Sequence, residues 1–129
     1  EANDQIACIA MIETSDGIAN ADEIMSTPGL NGIYIGPADL ALSLGLPAMG
    51  DQPQDEHLAV VKELLEKCQT HKIAAGIHTS SLEYAQKYLA LGFNFVTLGS
   101  ESGHMAKNAA RELAAARGTA ETKRESTGY

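Results

Sequence analysis

Short apolar runs alternate with amphipathic stretches along this chain, four times in succession. The apolar runs cover residues 6–12, 32–36, 72–78 and 93–99, and a polar or glycine-containing corner follows each of them. Runs of this length between such corners predict buried β-strands. Because a helical pattern follows each predicted strand, we expect four consecutive βα units with parallel strands and right-handed crossovers.

The clearest helix is predicted over residues 55–71, because apolar side chains recur there at helical spacing. Its apolar stripe consists of Leu58, Val61, Leu64, Leu65 and Cys68. A short helix of about two turns is predicted after Pro37, and an Ala-rich helix over residues 104–117.

The two remaining helices have recognisable ends. One follows the first strand, with Thr14 to Asp16 as candidate N-caps, and stops at Pro28 and Gly29. The other is predicted to turn Leu82, Ala85 and Leu89 inward and to end at Gly92 as its C-cap.

Composition narrows the function classes. The 129 residues carry 17 acids against 9 Lys plus Arg, a net charge of −8, which argues against nucleic acid as a partner. No apolar run approaches the roughly 20 residues of a membrane span. Two cysteines, Cys8 and Cys68, are too few for a disulfide framework, so we expect buried reduced thiols in a cytoplasmic protein.

Two architectures fit four βα units: a small doubly wound sheet, or half of a (β/α)8 barrel, since a whole barrel takes about 250 residues. No G-x-G-x-x-G motif or P-loop is present, so nucleotide binding has no support.

The barrel-like domain is predicted over residues 1–118, followed by a polar tail over 119–129. The abrupt start at Glu1 suggests that the sequence belongs to something longer.

Parallel α/β folds bind their ligands at the carboxyl ends of the strands. Glu13 and Asp39 follow two neighbouring predicted strands, so their carboxylates are expected at one rim. Oxygen ligands from two elements are typical of a Mg²⁺ or Mn²⁺ site. Acids at strand ends also serve as helix caps, and the spacing alone leaves both interpretations open. Glu101 has the same two interpretations, with a helix-dipole role favoured over that of a ligand.

Two longer segments are more specific than this spacing. They read "MIETSDGIANADEIMSTPGLNGIYIGPADLALSLGLP" (11–47) and "AAGIHTSSLEYAQKYLALGFNFVTLGSE" (74–101). Both resemble the HpcH/HpaI aldolases, the class II, metal-dependent pyruvate aldolases. The resemblance covers about residues 1–117 and implies that this chain forms the C-terminal half of a TIM (β/α)8 barrel, with the N-terminal half missing.

The resemblance also implies roles for residues. Glu13 and Asp39 match the family's ligands to a divalent cation, Mg²⁺, Mn²⁺ or Co²⁺, which is chelated by the pyruvyl end of the substrate. Backbone N–H groups of Ala38 and Asp39 would receive a substrate carboxylate oxygen. Pro37 would fix the corner, and Gly36 would let it turn closely. The implied activity is reversible cleavage of 4-hydroxy-2-oxo acids to pyruvate, or hydroxypyruvate, and an aldehyde.

Two departures from the family bear on the substrate. Met11 stands where many members have Gln, and its thioether cannot replace the amide hydrogen bonds. His78 stands where many have Leu near the pocket, and it is predicted either to line the pocket or to be a hydrogen-bonded structural residue. A role as a third metal ligand is less favoured, because relatives with Leu at this position do without it. The family's catalytic base and enolate-stabilising Arg come from the first half of the barrel, and nothing in this sequence matches them.

Two alternatives stay open. The first is a Mg-dependent lyase of the citrate lyase β or malyl-CoA lyase type, which would need a basic thioester site. The second is a catalytically incomplete half-barrel. The resemblance further implies a homo-oligomer, often hexameric. Of the remaining histidines, His57 and His71 are expected to be solvated, and His104 is expected at the surface or at an interface.

Overall fold

A four-stranded parallel sheet is the framework of the protein. The structure is a computed structural model and describes residues 1–118, apart from the side chains of Asn3 and Asp4. The polar tail predicted over 119–129 lies outside the described residues. The elements, in chain order, are α1 (Ala2–Gln5), β1 (Ile9–Met11), α2 (Ser15–Ala19), α3 (Ala21–Met25), β2 (Gly32–Ile35), α4 (Pro37–Ser43), α5 (Asp55–His71), β3 (Ala74–Thr79), α6 (Leu82–Leu91), β4 (Phe95–Leu98) and α7 (Glu101–Ala116).

The strands lie side by side in the order β1-β2-β3-β4, with every pair parallel. A doubly wound sheet reverses its strand order at a switch point, whereas a barrel wall adds each strand next to the previous one. The sequential order therefore decides between the two predicted architectures in favour of the barrel segment. The described residues form two compact units, residues 1–98 with the sheet and a second unit that begins at Gly99 and contains α7.

Burial alternates along the strands of the first unit. Ile33, Ile35 and Ile77 are almost completely buried in one core with the apolar stripe of α5. On the opposite face, Met11 and Phe95 keep 56% and 47% of their surface exposed. The apolar runs predicted buried strands, but within residues 1–98 the face that carries Met11 and Phe95 is left open.

Several helix predictions are confirmed. The helix α5 spans Asp55–His71 as predicted, and its stripe residues Val61, Leu64 and Cys68 are buried. Gly92 ends α6 with φ of 109°, the left-handed conformation that glycine adopts without strain.

Other predictions were wrong. β1 is three residues long, because Ile6 and Cys8 precede it and are exposed. The helix after β1 is divided at Asn20 into α2 and α3. The last helix begins at Glu101 rather than at residue 104, because the Ser100 hydroxyl accepts a hydrogen bond from Gly103 N–H and caps the helix earlier. Glu101 is accordingly a first-turn acid of α7.

The inward face of α6 was also predicted wrongly in part. Ala85 is buried, but Leu82 and Leu89 are 62% and 53% exposed. Tyr88 takes the inner position instead, with its ring 5.5 Å from that of Phe93 in an edge-to-face arrangement. Burial of this large aromatic ring is accompanied by outward-facing leucines on α6.

Candidate metal and substrate site

Glu13 and Asp39 come together at the carboxyl edge of the sheet. Glu13 follows β1 directly, and Asp39 lies in the first turn of α4, after β2. Two hydrogen bonds tie these segments together: Ser15 N–H donates to Ser43 Oγ at 2.6 Å, and the Ser15 hydroxyl donates to the Ser43 carbonyl at 3.0 Å. The start of α2 is thereby held against the end of α4.

The Glu13 carboxylate lies in an environment that disfavours its negative charge. Burial raises its pKa above the ordinary value of 4.5, and the nearby charge of Asp39 raises this pKa further. Its Oε2 is buried and has no hydrogen-bond partner in the described part of the chain. A bound cation would remove both penalties, because it neutralises the pair and supplies a partner for the oxygen.

The donor set fits a hard divalent cation. Both groups are carboxylates, the ligands that Mg²⁺ and Mn²⁺ prefer, and Mg²⁺ usually takes only one or two of them together with water and substrate oxygens. Residues 1–118 contain no group of three or more His, Cys, Asp or Glu side chains arranged to hold a metal ion. The pair of Glu13 and Asp39 is therefore the candidate site in this part of the chain.

Gly36 is required here for space, not for its backbone conformation. Its φ of −90° and ψ of 97° are open to any residue. A Cβ at this position would collide with Glu13 Oε2 and lie 3.1 Å from Met11 Cε. The sequence suggested that Gly36 permits a close turn, whereas the structure shows that it makes room for the Glu13 carboxylate.

Gly36 also leaves the start of α4 uncapped. The helices after β1, β3 and β4 begin with hydroxyl caps from Thr14, Ser81 and Ser100. At α4, no side chain caps the helix, so the first-turn N–H groups at Ala38 and Asp39 are open to a ligand.

A cavity of about 190 Å³ opens at this rim. The substrate-site residues expected from the sequence all line it, and two more join them. The lining consists of Met11, Tyr34, Gly36, Pro37, Ala38, Asp39, Gly50 and His78. Tyr34 was missed because its place in β2 reads as an ordinary β-former, and Gly50 because it lies in a loop without a motif.

His57 is a buried support of the corner, and the sequence interpretation of a solvated residue was wrong. Its side chain is fully buried, and Nε2 lies 3.2 Å from the Pro37 carbonyl. A carbonyl only accepts, so Nε2 carries the hydrogen and donates it. His71 is also less solvated than expected, because its Nε2 lies 3.0 Å from Asp22 Oδ1. His104 is exposed on α7, as expected.

Acid should weaken the corner through His57. Burial lowers the pKa of His57 below its ordinary value of 6.5, and Nδ1, buried without a partner among the described residues, cannot easily take a proton. The unfolded chain binds that proton below pH 6.5 and the folded chain does not, so this contribution to stability is present above pH 6.5 and is lost as the pH falls.

His57→Leu should flatten this pH dependence and should cost about 1–3 kcal/mol at pH 7.5, because the Pro37 carbonyl loses its donor. Urea unfolding at pH 7.5, 6.5 and 5.5 measures both effects. The exposed His104→Leu serves as control. Equal slopes in wild type and His57→Leu would contradict the assignment.

Cys68 is not a candidate nucleophile. Burial raises the pKa of Cys68 to about 11, which keeps it protonated at neutral pH. Cys68 is buried as expected, whereas Cys8 is exposed, with its N–H bonded to Asn31 Oδ1 at 2.7 Å.

No helix among residues 1–118 is long and apolar enough to cross a membrane.

A family model for HpcH/HpaI aldolase/citrate lyase matches residues 1–109. This chain belongs to that family. The hydroxypyruvate/pyruvate aldolase of Rhizorhabdus wittichii is 35% identical to it over 117 residues, which are 91% of this chain and 47% of the relative. The chain spans about half the length of the curated relatives that it matches.

Solved structures of the HpcH/HpaI family contain the same fold. An HpcH/HpaI aldolase/citrate lyase family protein from Burkholderia cenocepacia J2315 superposes with a TM-score of 0.82 at 28% identity, over 90% of this chain and 44% of that one. The citrate lyase β subunit from M. tuberculosis, solved with oxaloacetate and magnesium, has a TM-score of 0.61 at 23% identity, over 75% and 45%. The four βα units are therefore half of the TIM-barrel-like family fold.

Proposed function

We propose that this chain is the metal-carrying C-terminal half of a class II pyruvate aldolase barrel. The reaction is the reversible cleavage of a 4-hydroxy-2-oxo acid into pyruvate, or hydroxypyruvate, and an aldehyde. The observation that supports this proposal most strongly is the Glu13–Asp39 pair at the rim, in which Glu13 Oε2 is buried without a hydrogen-bond partner among the described residues. The chain is also 35% identical to a hydroxypyruvate/pyruvate aldolase. The half-barrel domain over residues 1–118 is part of this proposal.

Glu13 and Asp39 would hold Mg²⁺, Mn²⁺ or Co²⁺. The magnesium bound in the citrate lyase β subunit of the same fold supports a divalent cation. When bound, the cation supplies Lewis-acid stabilisation of the negative charge that develops on the pyruvyl keto oxygen. Burial and the charge of Asp39 both raise the pKa of Glu13, and a cation held between the two carboxylates would offset both effects.

The corner of β2 and α4 would bind the other end of the pyruvyl group. The uncapped N–H groups of Ala38 and Asp39 would donate to a substrate carboxylate oxygen. Pro37 holds the first turn, and its carbonyl is in turn held by His57. Met11 forms an apolar part of the wall.

The catalytic base and the enolate-stabilising Arg would come from the N-terminal half of the barrel. The open inner face supports this arrangement, because Met11 and Phe95 would be covered when the barrel closes. The homo-oligomer and the cytoplasmic location remain predictions from the resemblance and from cysteine usage.

A lyase of the citrate lyase β or malyl-CoA type is the second candidate, favoured by the family's own description and by the shared fold. Such an enzyme binds a CoA or carrier thioester, for which basic residues are needed. No Lys or Arg lines the described cavity, which favours the aldolase.

The test is exchange of the methyl protons of pyruvate in deuterated water by the complete protein, with and without a chelator. Exchange that needs the cation and no thioester supports the aldolase. Exchange that needs a CoA thioester, or no exchange at all, would overturn it.

Gly36→Ala should separate the site from the fold. The new Cβ displaces the Glu13 carboxylate, the mobile end of a side chain, so the melting temperature should change little. Misplacement of a catalytic group by about 1 Å costs on the order of 10²-fold in rate, and we expect a loss of that size in pyruvate exchange. Gly17→Ala, whose Cβ would meet Thr14 and Ile12 but neither carboxylate, is the control. Full exchange activity in Gly36→Ala would contradict this role.

A further inference from the structure

Three polar side chains from neighbouring strands bond to one another on the inner face of the sheet. The Tyr34 hydroxyl lies 2.6 Å from Thr97 Oγ1. His78 Nδ1 lies 2.8 Å from Thr97 Oγ1 and 3.3 Å from Tyr34 Oη. His78 and Tyr34 also line the cavity that contains Asp39. The cluster therefore orients an imidazole at the wall of the proposed substrate site.

Counting hydrogens decides which nitrogen of His78 carries one. If Nδ1 is the acceptor, Tyr34 donates to Thr97 Oγ1 and Thr97 donates to Nδ1, so both hydroxyl hydrogens have an acceptor. If Nδ1 carries the hydrogen and donates to Thr97, one hydroxyl hydrogen has no acceptor in the cluster. The described residues supply no other hydrogen bond to either hydroxyl. The cluster thus favours neutral His78 with its hydrogen on Nε2.

This tautomer makes His78 a neutral donor in the cavity wall. Nδ1 is directed at Thr97 and Tyr34, so Nε2 lies on the opposite side of the ring, and no described residue bonds to it. The wall otherwise offers the apolar Met11 and the carboxylate of Asp39, with no Lys or Arg among the described lining residues. A ligand here meets one neutral hydrogen-bond donor and no cationic side chain of the described wall.

We propose that His78 is a specificity-determining residue: its Nε2–H donates a hydrogen bond to a hydroxyl group of the aldehyde partner, and Thr97 and Tyr34 hold it in that tautomer. This inference rests on the proposed aldolase function. An apolar aldehyde leaves the donor unpaired, and an aldehyde bearing a carboxylate finds no Lys or Arg in the described wall to pair with it. The chemical class selected is an uncharged hydroxyaldehyde.

The tautomer is tested without any activity measurement. Two-bond ¹H–¹⁵N spectra of the complete, ¹⁵N-His-labelled protein distinguish a bare Nδ1 from a bare Nε2 in neutral histidine. We expect bare Nδ1 in His78 of the wild type, and a mixture of both tautomers in the double variant Tyr34→Phe, Thr97→Val. His71→Leu, at the C-terminal end of α5, should leave the His78 signals unchanged. A wild-type His78 with its hydrogen on Nδ1 would overturn the inference.

The specificity is tested with two aldehydes of similar size. The ratio of kcat/KM for glycolaldehyde to that for propionaldehyde, in condensation with pyruvate, should fall about five- to tenfold in His78→Leu, the effect of one neutral hydrogen bond. His78→Gln, which keeps a terminal N–H, should recover part of the ratio, and His71→Leu should not change it. An unchanged ratio in His78→Leu overturns the role of His78. Failure of the wild type to exchange pyruvate protons would instead overturn the aldolase, and the inference with it.

Discussion

Glu13→Gln and Asp39→Asn are each expected to abolish metal-dependent proton exchange of pyruvate in the complete protein. Each substitution keeps the shape of the side chain and removes one of the two negative charges that would hold the cation. Loss of one preorganised electrostatic partner costs about 10²–10³ in rate, and we expect at least this for each variant, in kcat rather than in KM. Exchange is measured by NMR in deuterated water with Mg²⁺, Mn²⁺ and Co²⁺, with and without chelator.

Two controls distinguish loss of the cation from loss of the fold. Asp16→Asn and Glu23→Gln remove exposed acids and should leave exchange unchanged. Burial and Asp39 raise the pKa of Glu13, so the folded chain binds this proton more tightly than the unfolded chain does, and the ionised carboxylate opposes folding above pH 4.5. Glu13→Gln without metal should therefore melt no lower than the wild type. Exchange that survives both substitutions and the chelator would mean that the two carboxylates act only as helix caps.

The 129-residue chain alone is expected to cleave 4-hydroxy-2-oxo acids at least about 10²–10³-fold more slowly than the complete barrel. Nothing in its sequence matches the base or the Arg of the family, and its inner face is open. Release of pyruvate from the substrate is measured for the pure chain and for the complete protein. Clear turnover by the pure chain would contradict the expectation and point to His78 as a substitute base.

The same preparation tests the open face. Ile9, Met11 and Phe95 are about half exposed on one side of the sheet. The pure chain should therefore associate with itself, and in the complete protein the missing half should cover this face. Light scattering gives its mass in solution. A stable monomer of 13.6 kDa would show that this face is tolerated in water.

Local pattern was sufficient to predict much of the fold and the candidate site. The alternation of apolar runs and helical stripes predicted all four strands and the helix Asp55–His71, because 2.0- and 3.6-residue periods are properties of the backbone itself. The same pattern placed Glu13 and Asp39 after neighbouring strands, and parallel strands bring their carboxyl ends to one edge. Glycine with φ of 109° at position 92 was predictable for the same local reason.

Tertiary structure alone decided which side chains share an environment. His57 reads as a surface histidine on α5, yet packing under the β2–α4 corner buries it on the Pro37 carbonyl. Tyr34, His78 and Thr97 are separated by up to 63 residues and meet only because β2, β3 and β4 pair in this register. The open inner face, likewise, follows from the sequential order of the four strands, which form one segment of a barrel wall. The hydrophobicity of the strand residues does not predict it. Sequence period fixes the local element and its faces, whereas the neighbour that meets each face is set by contacts between residues distant along the chain.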